Sequence, residues 1–441
     1  MARIFRPSTF NNLLRPLLQK EQPYANAIFN NTFRQRNRFF KSSPLTVLST
    51  DLQQSVTNQT HVSTALATHL LSKKYPRSNV VFSPLSIHAV LSLLAAGSKG
   101  KTHDQLLTFL RANSTDELNS LSSDLVSSIL ADGSPMGGPR LSFANGVWVE
   151  KNNVSLKPSF KEVVDTFYKA GCKQVDFTKA DEVANEVNLW AEKQTNGLIK
   201  KVISANDIHS LTWLIFANAV YFKGTWLEKF DASWTEKHDF HLLDGKKVRV
   251  PFMTSTKHQF VSEYDDFKIL GLPYLQGQDE REFTMYIVLP NAKDGLQSLV
   301  EKIGSTSNFF NRYIPCKRVE VGEFLIPKYK MSFDFEASKV LKELGLVLPF
   351  SDKDGMTEMV DSPIAKNVFV SSIHHKSIVE VNEEGTEAAA VTACVMPVGC
   401  SRWTKYDKID FVADHPFLFV IREDVTGVVL FMGQVVDPRA G

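Results

Sequence analysis

The sequence predicts an α+β fold in which most of the β-sheets are antiparallel. Helix-like and strand-like segments are interspersed along the chain without the regular strand–helix–strand rhythm of parallel sheets. The chain has 441 residues, 43% of them hydrophobic, which is ample material for a large core. No internal repeat of about 20 to 50 residues is apparent. A large globular domain is therefore expected over most of the chain.

The ordered domain is expected to begin near Ser49. Thr50 and Asp51 can cap a helix there, and apolar residues follow at loosely helical spacing: Leu52, Val56, Val62, Leu66 and Leu70. A second helical pattern covers residues 187–193. Strands are predicted for residues 141–149, 211–222, 284–289, 319–326, 368–373 and 428–431. No linker interrupts the chain up to Pro438, so residues 49–441 are expected to form one domain.

Residues 1–48 are predicted to be a basic, disordered extension. The first 50 residues hold eight basic residues and one acid, Glu21, which gives +7; the whole chain carries +2, so the remainder carries 2 − 7 = −5. An organelle transit peptide, a basic arm and a nuclear signal around residues 34–38 are the alternatives. A secretory signal is disfavoured because Arg15 and Pro16 split the leucine pairs. An intracellular location is favoured.

The composition excludes several classes of partner and chemistry. A net charge of +2 gives no electrostatic reason for a nucleic-acid partner, and no stretch approaches the ~20 apolar residues of a membrane span. The common hydrolase motifs are missing, and the histidines lack the spacing of metal ligands. Neither an enzyme, a cofactor nor a metal is therefore predicted. The cysteines suit a reducing compartment and lack close-paired metal spacing: Cys172, Cys316, Cys394 and Cys400.

A segment near the C-terminus changes abruptly from acidic to small, uncharged residues. It runs from Val381 to Ala393, and residues on alternate positions of a strand face the same side. If Thr386 points inward, Glu387 points outward, and the other inward side chains are small and then apolar: Ala388, Ala390, Thr392, Cys394 and Met396. Such a strand could slide between two others. A helix first turn is the alternative, because Glu383 and Glu384 would favour its N-terminal end.

Further segments, in this order and spacing, resemble those of the serpin family. They are residues 78–87 with Gly97, Gly100 and Thr102, then 188–199, 216–226, 272–274, 285–290, 326–329, 345–346 and 414–435. The last run is especially similar to plant serpins. The resemblance spans roughly residues 50–438. It implies a serpin fold of about nine helices around three mainly antiparallel β-sheets, with an exposed reactive-centre loop at about residues 383–405.

The resemblance also implies mechanical roles for individual residues. The loop hinge would comprise Glu383, Glu384, Gly385, Thr386, Glu387, Ala388, Ala389 and Ala390. Ser83, Ser86, Asn218 and His375 match the family's shutter positions, where a polar cluster lies beneath the point at which the main sheet opens. Trp226 matches the breach, where the loop enters. A paired polar network can have two satisfied arrangements, one for the closed sheet and one for the open sheet.

The implied activity is suicide inhibition of a serine or cysteine protease by a monomeric protein. The protease attacks the loop, an acyl-enzyme forms, and the cleaved loop inserts into the sheet before water releases it. Counting from Gly385 places Gly399 before the scissile bond, whereas counting back from residues 415–417 places Cys400 there. Arg402 is the alternative for an Arg-specific protease. The residues around the predicted scissile bond are unusual for the family. A non-inhibitory serpin-fold protein that is cleaved without trapping is therefore the alternative.

Overall fold

Nine α-helices occur in the part of the chain that the computed structural model describes, residues 50–152, 154–352, 355–386 and 408–440. In chain order they are α1 (Thr50–Thr68), α2 (Pro84–Gly97), α3 (Gly100–Leu110), α4 (Thr115–Asp124), α5 (Pro158–Val163), α6 (Ala180–Gln194), α7 (Leu296–Ser305), α8 (Phe309–Tyr313) and α9 (Ala337–Glu343). The first helix begins at Thr50, within the stretch where the sequence predicts the start of the domain. The predicted N-terminal extension lies outside the described residues.

The strands of the N-terminal half are β1 (Val80–Phe82), β2 (Arg140–Glu150), β3 (Ser155–Leu156), β4 (Gly171–Val175), β5 (Leu214–Thr225), β6 (Glu236–His241), β7 (Lys247–Met253), β8 (Gln259–Glu263) and β9 (Phe267–Pro273). The strands that follow are β10 (Phe283–Pro290), β11 (Arg318–Val319), β12 (Val321–Pro327), β13 (Tyr329–Glu336), β14 (Val360–Asp361), β15 (Val370–Val381), β16 (Gly385–Thr386), β17 (Ile409–Val412), β18 (Phe417–Glu423) and β19 (Val429–Val435).

These strands form three large sheets and one small ribbon. A seven-stranded sheet has the order β1-β19-β18-β10-β9-β8-β11, and a four-stranded sheet has the order β17-β12-β7-β6. The six-stranded sheet has the order β13-β15-β16-β5-β2-β4, and β3 pairs with β14 alone. Most neighbours are antiparallel; the parallel pairs are β2–β4, β5–β15 and β12–β17. The functional site lies in the six-stranded sheet.

The central helix α2 packs beneath this sheet. Ser83 caps its N-terminus by accepting a hydrogen bond from the backbone N–H of Ser86 at 3.2 Å. Pro84 occupies the first helical position, where a backbone amide hydrogen would have no partner within the helix. All but one of its fourteen residues are buried, as expected for a helix that is apolar around most of its circumference. The cap therefore lies inside the molecule, and it contributes directly to the polar cluster described below.

Candidate functional site in the six-stranded sheet

The two central strands of the six-stranded sheet, β5 and β15, separate toward their C-terminal ends. β5 and β15 pair in parallel up to Val220 and Ser377. Four residues farther along both strands, at Gly224 and Val381, Thr386 of β16 lies between them and pairs with both. Because neighbouring strands lie about 4.8 Å apart, the two strands have parted by one full strand width over that length. The segment predicted to act as the hinge thus occupies the opening of the sheet.

Thr386 is fully buried within this opening. Its side chain is 1% exposed, and its hydroxyl oxygen lies 2.7 Å from the hydroxyl oxygen of Tyr274. Burial raises the pKa of Tyr274, so the phenol keeps its proton. The Tyr274 ring stacks on Trp226 with 4.6 Å between the ring centroids. Thr386 therefore points inward, and the space around it fits a small side chain with one hydroxyl.

Trp226 secures the turn that leads into β16. Its indole Nε1 donates to the carbonyl of Asn382, and its backbone N–H donates to the carbonyl of Glu384, both at 2.9 Å. The side chain is 2% exposed. A buried tryptophan N–H needs an acceptor, and here the acceptor belongs to the turn before the hinge. Trp226 thus joins the end of β5 to the entry of the loop.

An ion pair anchors Glu383 at the same turn. Its Oε2 atom lies 2.7 Å from Nζ of Lys328, and Thr235 donates a hydrogen bond to its Oε1 atom at 2.8 Å. Burial alone would raise the pKa of Glu383, but the hydrogen bonds from Lys328 and Thr235 lower it on balance. Glu384 pairs with Lys229 at 2.5 Å. These contacts hold the turn in place while Gly385 and Thr386 enter the sheet.

Gly385 occupies a position that excludes any side chain. Its φ is +153°, and a Cβ atom there would lie 2.0 Å from the carbonyl oxygen of Gly224. Substitution of Gly385 with valine is therefore expected to prevent the hinge from docking between β5 and β15. Hydrogen exchange measured by mass spectrometry should show loss of protection at residues 382–386, by about tenfold or more. In the control Glu236→Val, which replaces an exposed side chain outside the turn, the protection should persist; equal protection in both variants would contradict this close contact.

Beneath the opening, five residues form a buried polar cluster. Nε2 of His375 accepts a hydrogen bond from the backbone N–H of Ser83 at 3.0 Å, and the hydroxyl of Ser377 lies 2.8 Å from the same nitrogen. Its Nδ1 atom lies 3.1 Å from Oδ1 of Asn218, which donates through its amide nitrogen to Oδ1 of Asn145 at 2.6 Å. In a neutral imidazole with its proton on Nδ1, Nδ1 donates to Asn218, and the single lone pair of Nε2 is shared by the Ser83 N–H and the Ser377 hydroxyl. The cluster joins α2, β2, β5 and β15.

Two buried polar atoms, one in the cluster and one beside it, lack a hydrogen-bond partner in the described part of the chain. The Ser86 hydroxyl and the amide nitrogen of Asn145 have no hydrogen-bond partner among the described residues. Unpaired buried polar groups are uncommon, since each costs about 1–3 kcal/mol. Both atoms could gain partners if strands around Asn218 and His375 rearranged.

The buried imidazoles of His375 and His88 should make stability depend on pH. Burial lowers the pKa of His375 to about 3 and the pKa of His88 to about 4. The unfolded chain therefore binds protons that the folded chain does not, and the free energy of unfolding decreases as the pH falls below about 6.5. Between about pH 7 and about pH 5 the loss should be roughly 2 kcal/mol for each imidazole.

Urea unfolding monitored by circular dichroism at several pH values would measure this dependence. In the variant His88→Gln the loss of unfolding free energy between about pH 7 and about pH 5 should be smaller by roughly 2 kcal/mol, the contribution of the His88 imidazole. A free energy of unfolding that stays constant from about pH 7 to about pH 5 would mean that both rings are protonated in the folded protein, contrary to their environment.

The structure brings the sequence-predicted residues into two connected groups. Glu383, Glu384, Gly385, Thr386 and Trp226 meet at the opening of the sheet. The second group, beneath it, contains Ser83, Ser86, Asn218 and His375. The remaining candidates lie outside the described residues: Glu387, Ala388, Ala389, Ala390, Gly399, Cys400 and Arg402.

Sequence reasoning assigned no role to Tyr274, Lys328, Asn145 or Ser377, which complete the two groups. Asn145 lies in the buried strand β2, where a polar side chain among apolar neighbours is itself a signal of a hydrogen-bonded network. Tyr274 and Lys328 lie in segments whose resemblance to serpins had been recognised. Their contacts join positions more than 50 residues apart along the chain, which no local pattern reveals.

The residues that the structure describes contain neither a membrane-spanning helix nor a cluster of metal ligands. No helix among them is both long enough and apolar enough to cross a bilayer. No group of three or more histidine, cysteine, aspartate or glutamate side chains among them is arranged to hold a metal ion.

A sheet that opens around an incoming hinge, above a buried polar cluster, defines the serpin class of protease inhibitors, and comparisons with known proteins agree. Residues 57–438 match the family described as Serpin (serine protease inhibitor). Serpin-ZX of Arabidopsis thaliana is 58% identical over 390 residues, which cover 88% of this chain and 99% of the relative. Serpin-ZXA of Oryza sativa subsp. japonica is 52% identical over 397 residues, covering 89% and 99%. The chain belongs to the serpin family and is of the plant serpin type.

A solved structure agrees at the level of the fold. Arabidopsis AtSerpin1, in its native stressed conformation, superposes with a TM-score of 0.81 at 57% sequence identity, covering 88% of this chain and 98% of that protein. The predicted family and the predicted α+β serpin fold are thus confirmed.

Proposed function

We propose that this protein traps a serine or cysteine protease as a covalent acyl-enzyme by inserting its cleaved loop into the six-stranded sheet. The observation that carries the proposal is the position of Gly385 and Thr386, already paired between β5 and β15 at the opening. The hinge therefore already lies at the point where the loop would enter the sheet. Once the loop is cut, insertion can proceed from Thr386 by extending an existing ladder.

The register of the hinge defines where each loop residue would arrive. Gly385 pairs with Thr225 and Thr386 pairs with Gly224 in antiparallel register. Continued in the same register, Glu387 would reach Lys223 on the outer face, where opposite charges attract. The inward residues would be small or uncharged, and Thr392 would arrive opposite Asn218 of the buried cluster. This order agrees with the alternation in the sequence.

The buried cluster would control the second half of insertion. For Thr392 to reach Asn218, β15 must move away from β5, and the hydrogen bond between His375 and Asn218 must break. The hydroxyl of Thr392 can take the place of His375 as the hydrogen-bond partner of Asn218. The unpaired hydroxyl of Ser86 and the unpaired amide nitrogen of Asn145 can form further hydrogen bonds. The network would then have two alternative hydrogen-bonded arrangements, which is the property of a bistable element.

Backbone pairing would supply the driving energy. About ten loop residues would gain partners on both sides at the expense of the single parallel ladder between β5 and β15. With a net contribution of about 0.5–1.5 kcal/mol for each hydrogen bond, a gain on the order of ten bonds gives on the order of 10 kcal/mol. This is comparable with the whole stability of a typical domain, and it would oppose release of the protease.

The bond that the protease attacks lies outside the described residues. The sequence places Gly399 or Cys400 before it, with Arg402 as the alternative. Glycine or cysteine suits a serine or cysteine protease that accepts small residues, whereas Arg402 would suit an Arg-specific cysteine protease. We expect the protein to act as a monomer, because one loop and one sheet within the same chain suffice.

Incubation with a panel of serine and cysteine proteases would test the proposal. A band stable in denaturing gels at the summed mass of the two proteins is expected with the cognate protease. Cleavage throughout the panel, without such a band and without a gain in thermal stability of the cleaved protein, would favour a serpin-fold protein that is cleaved without trapping.

Single substitutions would locate the scissile bond. Replacing Gly399, Cys400 and Arg402 in turn with aspartate should reduce the rate of complex formation by about 100-fold or more at the residue that enters the protease's specificity pocket, and much less at the other two. Mass analysis of the released peptide identifies the bond independently. If all three variants formed the complex at the rate of the unmodified protein, none of the three residues would be the one that enters the specificity pocket.

A further inference from the structure

A cationic cleft adjoins the turn that precedes the hinge. It has a volume of about 520 Å³, within the range of small-molecule sites, and lies where β6, β7, β13 and the end of β15 meet the C-terminal segment. Five cationic side chains and three carboxylates line it. The carboxylates are Glu380, Glu383 and Glu384, and the cations are Lys237, Arg249, Lys328, Lys330 and Arg439.

Pairing within the cleft leaves two of its cations uncompensated. Glu380 pairs with Lys330 at 2.6 Å and Glu383 pairs with Lys328 at 2.7 Å. Outside the lining, Lys229 holds Glu384 and Asp437 holds Arg439. Lys237 and Arg249 remain; both are exposed, and no carboxylate of the described chain lies within ion-pairing distance of either.

The strand pairing places these two cations together on one face. Lys237 pairs in register with Pro251 and Asp239 pairs with Arg249, so all four side chains share a face of the β6–β7 hairpin. Asp239, the nearest acid in register, lies 3.6 Å from Lys247, whereas the Arg249 guanidinium donates to the backbone carbonyl of Lys237. Arg249 keeps further N–H groups for a ligand, in the planar arrangement that matches phosphate or carboxylate oxygens.

We propose that this cleft binds a small compound carrying two or more phosphate groups. Lys237 and Arg249 supply the free positive charge, and Lys328 lies in the same cleft. One ligand oxygen on Lys328 would compete with Glu383, whose ion pair holds the turn two residues before Gly385. Binding at the cleft is independent of protease trapping, but any effect of the ligand on trapping rests on the function proposed above.

Calorimetric titration with sodium pyrophosphate at near-physiological salt would test the site. We expect saturable binding that Lys237→Ala/Arg249→Ala weakens by about tenfold or more. The control Lys200→Ala/Lys201→Ala removes the same charge from exposed residues that do not line the cleft, and it should change the affinity by no more than about twofold. Absence of saturable binding, or equal weakening in both double variants, would overturn the proposal.

A third variant tests the link to the hinge. Glu383→Gln removes the competing carboxylate and releases Lys328, so the affinity for pyrophosphate should rise by about threefold or more. An unchanged or lower affinity would show that Lys328 does not contribute to the site. Because titration requires no protease, these results stand whether or not the protein forms a covalent complex.

Discussion

Replacement of Thr386 by arginine is expected to abolish protease trapping while leaving cleavage of the loop intact. Thr386 is 1% exposed, its hydroxyl contacts the hydroxyl of Tyr274, and Trp226 stacks on the Tyr274 ring. An arginine there would have to carry its charge into an apolar space or stay outside the sheet, at a cost of several kcal/mol. Since every later loop residue follows Thr386 into the sheet, insertion would stall at its first step.

The measurement is the fraction of protease recovered as a complex stable in denaturing gels, compared with the fraction of inhibitor that is merely cleaved. The ratio should fall by about 100-fold or more, because insertion must outpace hydrolysis of the acyl-enzyme. Thr386→Ser keeps a small side chain and its hydroxyl, and it should trap like the unmodified protein. Unchanged trapping by Thr386→Arg would rule out insertion from this hinge.

Replacement of His375 by alanine should destabilise the folded protein by about 3–5 kcal/mol. The imidazole joins Ser83, Asn218 and Ser377 within the buried cluster, and its ring packs edge-on against Phe335 at 5.6 Å. Its removal leaves several buried polar groups without partners and opens a cavity. The first unfolding transition in urea should therefore move to a markedly lower midpoint.

His374→Ala is the matched control, since it alters the adjacent residue of the same strand. His374 is 8% exposed, and its ring lies within hydrogen-bond distance of the Ser372 hydroxyl, outside the cluster. It should cost less than about half as much. If the two substitutions lowered the free energy of unfolding equally, the cluster would contribute no more to stability than neighbouring buried residues do.

Local patterns in the sequence predict much of this fold, and the exceptions have physical causes. The predicted strand 368–373 extends to Val381 in the structure as β15. Its continuation contains His374, His375 and Ser377, which are buried because the polar cluster and Ser372 satisfy them. A pattern based on apolar residues ends where those polar residues begin. The functional importance of this strand and the difficulty of predicting it therefore have the same origin.

Two other strand predictions were wrong in their boundaries. The predicted strand 319–326 is divided into β11 and β12, which belong to different sheets, with the break at Glu320. The predicted strand 211–222 begins at Leu214, because Thr212 closes a turn by donating its backbone N–H to the carbonyl of His209. In both cases tertiary pairing decides the boundary. Apolar periodicity does not encode which sheet a strand joins.

The site was predictable in its residue types but not in its geometry. The resemblance to serpins indicated the hinge, Trp226 and the polar positions, and alternation placed Thr386 on the same side as the small residues that follow it. The stacking of Tyr274 on Trp226, the ion pair of Glu383 with Lys328 and the contact of Gly385 with Gly224 depend on the packing of distant elements. Such contacts follow from the three-dimensional arrangement.

The thermal stability of the loop-cleaved protein tests loop insertion most directly. The protein would be cut once within residues 391–405 by a protease that does not form a complex, and the unfolding midpoint of the cut form would be compared with that of the intact form. Insertion predicts a rise of more than about 10 °C, in keeping with a gain on the order of ten backbone hydrogen bonds. The Thr386→Arg variant, cut at the same bond, should show no such rise. An unchanged midpoint in the cleaved parent protein would contradict the insertion of its loop between β5 and β15.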